Sequence, residues 1–213
     1  SWLNLCPACT DALNRLFEKQ EADDSILPPQ GIECAFAAFP YTDAAKTLIL
    51  LLKYGSIRAA ANPLANAMSA RFCGKADILV PVPTTKHRLR ERGYNQAQVL
   101  ANALHPLLNL PVAPALTRRN EQASQTTLNA EERRLNLIGC MTSDASVAGK
   151  RVLLIDDVLT TGSTATEAAR ALRSAGAAGV SILVAAKTSQ NDAPLFQPKR
   201  SIQDYFPADQ TKP

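Results

Sequence analysis

Arg151-Val-Leu-Leu-Ile-Asp-Asp-Val-Leu-Thr-Thr-Gly-Ser-Thr164 is the stretch on which the reading of this chain turns. The apolar run Val152 to Ile155 is short and bounded, as a strand covered on both faces is. Beyond it Ala165, Ala168, Ala169 and Leu172 recur at helical spacing, which predicts a helix over 163–175. Backbone N–H groups at such a helix start lack intrahelical partners and carry partial positive charge, so they suit an anion such as phosphate. Thr160, Thr161, Ser163 and Thr164 add hydroxyl donors, and Gly162 allows a tight turn around a bulky anion. Asp156 and Asp157 end the strand where open α/β sheets place ligands. Their carboxylates are suited to sugar hydroxyls or to a hydrated divalent cation.

Turn and capping chemistry alone collects Asp, Thr, Gly and Ser at strand-to-helix junctions. Two adjacent acids closing an apolar strand repel each other, however, and that arrangement favours ligand binding. No Gly-x-x-x-x-Gly-Lys-Ser/Thr or Gly-x-Gly-x-x-Gly occurs, which leaves a P-loop or dinucleotide site without support. The stretch resembles the ribose-phosphate signature of type I phosphoribosyltransferases. That resemblance implies that the two acids grip the ribose hydroxyls of phosphoribosyl pyrophosphate (PRPP), and that the Thr-Thr-Gly-Ser-Thr loop wraps its 5-phosphate.

A chain of 213 residues, 46% apolar and 20% charged, fits one α/β domain with appendages. A net charge of +4 without a long basic block suits polyphosphates and leaves direct nucleic-acid binding open. No apolar run reaches transmembrane length, so membrane insertion is not expected. Five cysteines at irregular spacing argue against a disulfide framework and for a reducing cytoplasm. The start at Ser1 rather than Met points to residues removed upstream.

Three units are expected. Residues 1–35 form a small unit led by Cys6-Pro-Ala-Cys9 and closed by the linker-like Pro28-Pro-Gln-Gly31. Residues 36–187 carry the alternating pattern of an α/β domain, a mostly parallel twisted sheet flanked by helices. Residues 188–213 are a polar, Pro-rich and flexible tail. Within the domain, strands are predicted at Ala35–Phe39, Ile78–Val82, Val152–Ile155 and Val180–Ala185. Helices are predicted from Ala44 to near Gly55, on Ile57 to Arg71, and on Ala97 to Leu108. Residues 114–140 show no clear period.

A second constellation follows the strand at Val80. Val80-Pro-Val-Pro83 delivers a basic loop with Lys86, Arg88, Arg90 and Arg92, groups that bind phosphate oxygens. Lys53-Tyr54-Gly55, Val80-Pro-Val-Pro83, Arg88-Leu-Arg-Glu-Arg-Gly-Tyr-Asn-Gln-Ala97, Arg118, Gln125-Thr-x-Leu-x-x-x-x-Arg-x-x-Asn136 and the acid pair occur in one order. Together they resemble the ComF (competence protein F) family of phosphoribosyltransferase-like proteins across about residues 36 to 187. The resemblance implies a type I phosphoribosyltransferase fold and a Mg²⁺-dependent PRPP site. It implies catalytic roles for Asp156 and Asp157, and PRPP contacts for Val158, Leu159, Thr160, Thr161, Gly162, Ser163, Thr164, Lys86, Arg88, Arg90 and Arg118. It further implies a link in bacteria to DNA uptake or gluconate-related metabolism, with partners in the competence machinery and a homodimer left open. In phosphoribosyltransferases the segment matching residues 116–137 is a mobile loop that closes over pyrophosphate.

Cys6, Cys9 and Cys34 make three of the four ligands a closed zinc site needs, so a zinc remnant is left open and the balance lies against a bound ion. Cys73 and Cys140 are expected to pack as small apolar residues. Two functions remain in play: phosphoribosyl transfer to an unidentified nitrogenous acceptor, and a non-catalytic PRPP-binding or interaction module of a DNA-uptake machine.

Overall fold

The computed structural model describes residues 26–54, 57–119 and 139–188. In chain order these form β1 (Ala35–Pro40), α1 (Asp43–Tyr54), a 3₁₀ turn at Arg58–Ala60 leading into α2 (Ala61–Arg71), and β2 (Ile78–Pro81). Then come α3 (Lys86–Arg92), α4 (Gln96–Leu108), β3 (Leu116–Arg118), β4 (Met141–Ser143), β5 (Arg151–Leu159), α5 (Ser163–Ser174) and β6 (Gly179–Lys187).

The four long apolar strands pair in parallel in the order β1-β6-β5-β2, so all their carboxyl ends share one edge. Parallel strands need cover on both faces, and the residue alternation supplies it. Leu79, Leu153, Ile155 and Leu183 pack with Leu48, Ile49 and Leu52 of α1, Leu64 and Met68 of α2, and Leu100 and Leu104 of α4. Ile78, Val80, Val152, Leu154, Val180, Ile182 and Val184 pack against Ala165, Ala168, Ala169 and Leu172 of α5. The small side chains of α5 let that helix lie close to the sheet.

Three features depart from the sequence expectation. The basic run 86–92, read as a loop, is a helix: Thr85 caps it by accepting the Arg88 N–H at 3.2 Å, and Gly93 ends it at φ 76°. It buries no residue, so it left no apolar period to read. Strand β5 runs through Leu159 instead of ending at Ile155, because β6 pairs with it as far as Leu159↔Lys187. The stretch 114–140, read as irregular, opens with β3, which pairs antiparallel with β4 just beyond its end, from Leu116↔Ser143 to Arg118↔Met141. Three-residue strands are too short to show a period.

The small sheet is tied to α5 by one buried acid. Glu167 accepts the Met141 N–H at 3.0 Å and two hydrogen bonds from Arg170, which also donates to the Met141 carbonyl. Burial works to raise the Glu167 carboxyl, but the bonds from Arg170 and Met141 outweigh it and hold it below its ordinary value. Cys73, expected to pack as an apolar residue, is exposed beyond the end of α2, while Cys140 is partly buried beside the core.

Residues 26–34, placed in the first unit with a linker at Pro28–Gly31, lie against the domain. Ile32 is buried in the α5-side core, and Glu33 donates its N–H to Val180 O at 2.8 Å. Cys6, Cys9 and residues 120–138 and 189–213 lie outside the described residues.

Leu153 lies fully buried between helices on the central strand. Leu153→Ala should cost about 3 kcal/mol of stability, with the urea midpoint falling and the slope unchanged.

Candidate functional site

The site forms at the carboxyl edge of β2 and β5. These neighbours are in register from Ile78↔Val152 to Pro81↔Ile155, and Val82 donates its N–H to Ile155 O. The next residues on each strand therefore emerge side by side: Asp156 and Asp157 from β5, and Pro83 to Arg92 from β2.

Asp157 is buried, and its Oδ2 stands 3.0 Å from Nζ of Lys53 in the last turn of α1. The contact is ionic, since this oxygen accepts no hydrogen bond in the described structure. Asp156 accepts the N–H of Asp157 through its own Oδ1 at 2.8 Å. Burial, and then the adjacent Asp157 carboxylate, push the Asp156 carboxyl up to about 7, against the pull of Lys53 and Arg88. Arg88 sits exposed on α3, and its pull on Asp156 is weaker than that of Lys53. Lys86 and Arg90 ride exposed on the same short helix, and Arg118 lies on β3 opposite Met141.

Lys53 was missed as a site residue; its only sequence signal was the Lys53-Tyr54-Gly55 motif. The structure shows what holds it. The Tyr94 hydroxyl donates to the Leu52 carbonyl, anchoring the end of α1. Arg92 lies 4.8 Å over the Tyr54 ring and Arg58 4.8 Å over the Tyr94 ring, two interleaved cation–π pairs. Asn95 caps α4 by accepting the Ala97 N–H and donates to Val82 O, while Arg92 donates to Gln96 Oε1. The Arg-Gly-Tyr-Asn-Gln motif is thus a brace that fixes Lys53 relative to the carboxyl end of β2.

Beyond the acids, Val158 and Leu159 are strand residues, paired with Ala186 and Lys187, and support the loop from the sheet. Thr160 and Thr161 are exposed. Gly162 is the N-cap of α5 at φ 74° and makes no side-chain cap. The first N–H groups of this twelve-residue helix are left largely to an outside acceptor: Thr161 Oγ1 lies 3.5 Å from Ser163 N and 3.0 Å from Ser163 Oγ. Among the described residues at this edge, buried Thr84 Oγ1 has no hydrogen-bond partner, and Asp157 Oδ2 has only its ionic contact with Lys53. Buried polar atoms are seldom left so, and both suit a polar ligand.

The family model of the phosphoribosyl transferase domain matches residues 57–209, and the chain belongs to that family. Within it the chain stands with the ComF and YhgH proteins. The competence protein ComFC of Bacillus subtilis (strain 168) is 34% identical over 151 residues, 67% of this chain and 59% of that protein. The DNA utilization protein YhgH of Escherichia coli (strain K12) is 35% identical over 113 residues, 53% of this chain and 50% of that one. The chain thus spans little more than half the length of these relatives. YhgH of Salmonella typhimurium (strain LT2) aligns over 195 residues at 29% identity, 87% of this chain and 85% of its own length. Solved structures with a similar fold include the glutamine PRPP amidotransferase from B. subtilis, at 20% identity and TM-score 0.45, covering 62% of this chain and 30% of that one. The adenine phosphoribosyltransferase from Leishmania tarentolae matches at 16% identity and TM-score 0.37, covering 61% and 71%.

Asp156 holds its proton more tightly folded than unfolded, with a carboxyl at about 7 against an ordinary 3.8. Such a group costs no stability below about pH 4, an increasing amount as pH rises from about 4 to 7, and its full cost above. Asp156→Asn should therefore change little at about pH 4 and stabilise the protein above about pH 7, by up to about 4 kcal/mol less what burying the amide costs. Thermal unfolding of both proteins across that range measures it.

Proposed function

We propose that this chain binds Mg²⁺-chelated PRPP at the carboxyl edge of β2 and β5 and transfers its ribose 5-phosphate to a nitrogenous acceptor, in the service of DNA uptake or utilization. The observation that carries the reading is the succession along one strand-to-helix junction of two carboxylates and an uncapped helix start. The two ends of PRPP make opposite demands. Its 5-phosphate needs donors, which the α5 amides and the hydroxyls of Thr160, Thr161, Ser163 and Thr164 offer. Its ribose diol needs acceptors, which Asp156 and Asp157 offer, and these would repel a phosphate set directly on them.

The pyrophosphate end then falls toward α3, where Lys86, Arg88 and Arg90 lie past the end of β2. Arg118, on β3, is a further cation offered to it. Lys53 is the addition the structure makes: it balances the acid pair, so that a polyanion approaches a site that is not strongly negative. Magnesium, carried by the phosphates of the ligand, would supply neutralisation of the leaving pyrophosphate; the oxygens of Asp156 and Asp157 suit the diol beside it.

In the transfer, the bond from the anomeric carbon to the pyrophosphate oxygen breaks, the acceptor nitrogen bonds to that carbon, and the nitrogen gives up a proton. That proton passes to solvent or to a carboxylate of the acid pair. The remaining contribution is orientation and charge stabilisation of an oxocarbenium-like state.

A screen of nucleobases and related amines for pyrophosphate release, with PRPP as donor, tests the reading. Release with one acceptor class supports transfer. Tight PRPP binding without release from any acceptor would identify a sugar-phosphate-binding module instead. Asp157→Asn should weaken PRPP by at least about tenfold, the worth of one charge-assisted hydrogen bond, and leave inorganic phosphate nearly unaffected. Calorimetric titration of both ligands distinguishes these, and equal affinities in the variant would sink the diol assignment.

A further inference from the structure

Gly162 is crowded from the side of the chain that precedes the family match. A Cβ placed on it would come within 2.7 Å of Cγ and 3.0 Å of Cβ of Pro29. Pro29 belongs to a strap, residues 26–33, that runs along α5. At the far end Arg173 donates to the Gly31 carbonyl at 2.9 Å and to Glu33 Oε1 at 3.1 Å. Gly31, at φ 82°, approaches Ala169, where a Cβ would lie 3.4 Å from that methyl. Glu33 crosses Gly179, where an added Cβ would lie 2.8 Å from Oε2, and Ile32 closes a turn on Pro29 O at 3.0 Å. From Arg173 to Gly162 is about 16 Å of helix, so the strap is fixed at one end of α5 and bears on the loop at the other.

We propose that Pro29 is a positioning residue of the phosphate site, a rigid ring that holds Gly162 in its left-handed conformation and so keeps the first α5 amides aimed outward. This rests on the phosphate reading of that loop given above. The loop has few constraints of its own: it has no side-chain cap, and the contacts within it run between Thr161 and Ser163. A glycine there is otherwise free to leave φ 74°, and a ligand would have to order it on binding. Proline has its own φ fixed and is itself stiff. The assignment also replaces the simplest account of Gly162, that a side chain would crowd the anion: the first atoms a side chain meets are those of Pro29. Pro29 precedes the family match, which begins at residue 57, whereas Gly162 lies within it.

The test uses the full chain and four variants: Pro29→Gly, Gly162→Ala, the pair combined, and Leu104→Ala as a buried control remote from the strap. Two readouts are taken, amide hydrogen exchange over residues 162–164 and calorimetric titration with inorganic phosphate and with Mg²⁺-PRPP. Pro29→Gly should speed exchange at these amides and weaken both ligands alike by about fivefold, the loss of about 1 kcal/mol of preorganisation. Leu104→Ala should lower the melting temperature with neither effect. Gly162→Ala should weaken both ligands more in the wild-type background than beside Pro29→Gly, where the ring it collides with is gone. Unchanged exchange and affinity in Pro29→Gly, or a Gly162→Ala effect equal in both backgrounds, would overturn the proposal. A wild type that binds neither ligand refutes the phosphate reading instead, and the exchange rates still decide whether Pro29 holds the loop.

Discussion

The Lys53 ammonium, 3.0 Å from a buried Asp157 oxygen, is the contact around which the ligand edge is arranged. Taking both charges out of water is expensive, and only their mutual attraction makes the arrangement tolerable. The pair therefore needs support, and the neighbouring elements supply it: Tyr94 pins the end of α1, and the two arginine–tyrosine stacks brace the crossing of α1 with the α3–α4 junction. Asp156 next door pays for the crowding by holding a proton near neutrality. A site built this way is less stable than it need be, which is the usual relation between a poised acid and the fold that carries it.

The parts of the chain that were legible in the sequence are those with local signals. The strand before Asp156, the helix after Gly162, the α1 face and the buried strand at Ile78 all announce themselves by periodicity over four or more residues. What escaped was set by distant contacts or by elements that bury nothing. Lys53 and Asp157 are far apart in sequence, and a lysine in a last helical turn has an ordinary reading as a match to the helix dipole. Pro28-Pro29-Gln30-Gly31 has the composition of a linker, and only the packing of Gly31 on Ala169 and Pro29 on Gly162 shows it working as part of the domain. Helix α3 left no apolar stripe because none of its residues is buried. The extension of β5 to Leu159 came from its partner strand, which no local rule reads.

Two residues that shape the ligand edge, Lys53 and Pro29, precede the segment that the phosphoribosyl transferase family model matches. The matched segment contributes the acids, the loop, the basic helix and the Arg92-to-Gln96 brace; the preceding segment contributes Lys53 and Pro29. In physical terms the first set offers the ligand's recognition groups, and the second governs how those groups are charged and held before a ligand arrives. On the proposed PRPP reading, a change in the preceding segment alone would alter affinity through preorganisation.

The pairing of β1 with β6 also constrains how the chain is made. Among the described residues, β1 has its one neighbour in the main sheet in β6, near the opposite end of the domain. During synthesis, α1 and α2 emerge with Leu48, Ile49, Leu52, Leu64 and Met68 exposed, and Leu153 and Leu183, which they will cover, do not yet exist. Closing so long a loop is slow, and an unpaired apolar strand edge is a template for association with other chains. The pairing of β1 is thus deferred until β6 has left the ribosome, and the apolar faces of α1 and α2 wait uncovered through that interval.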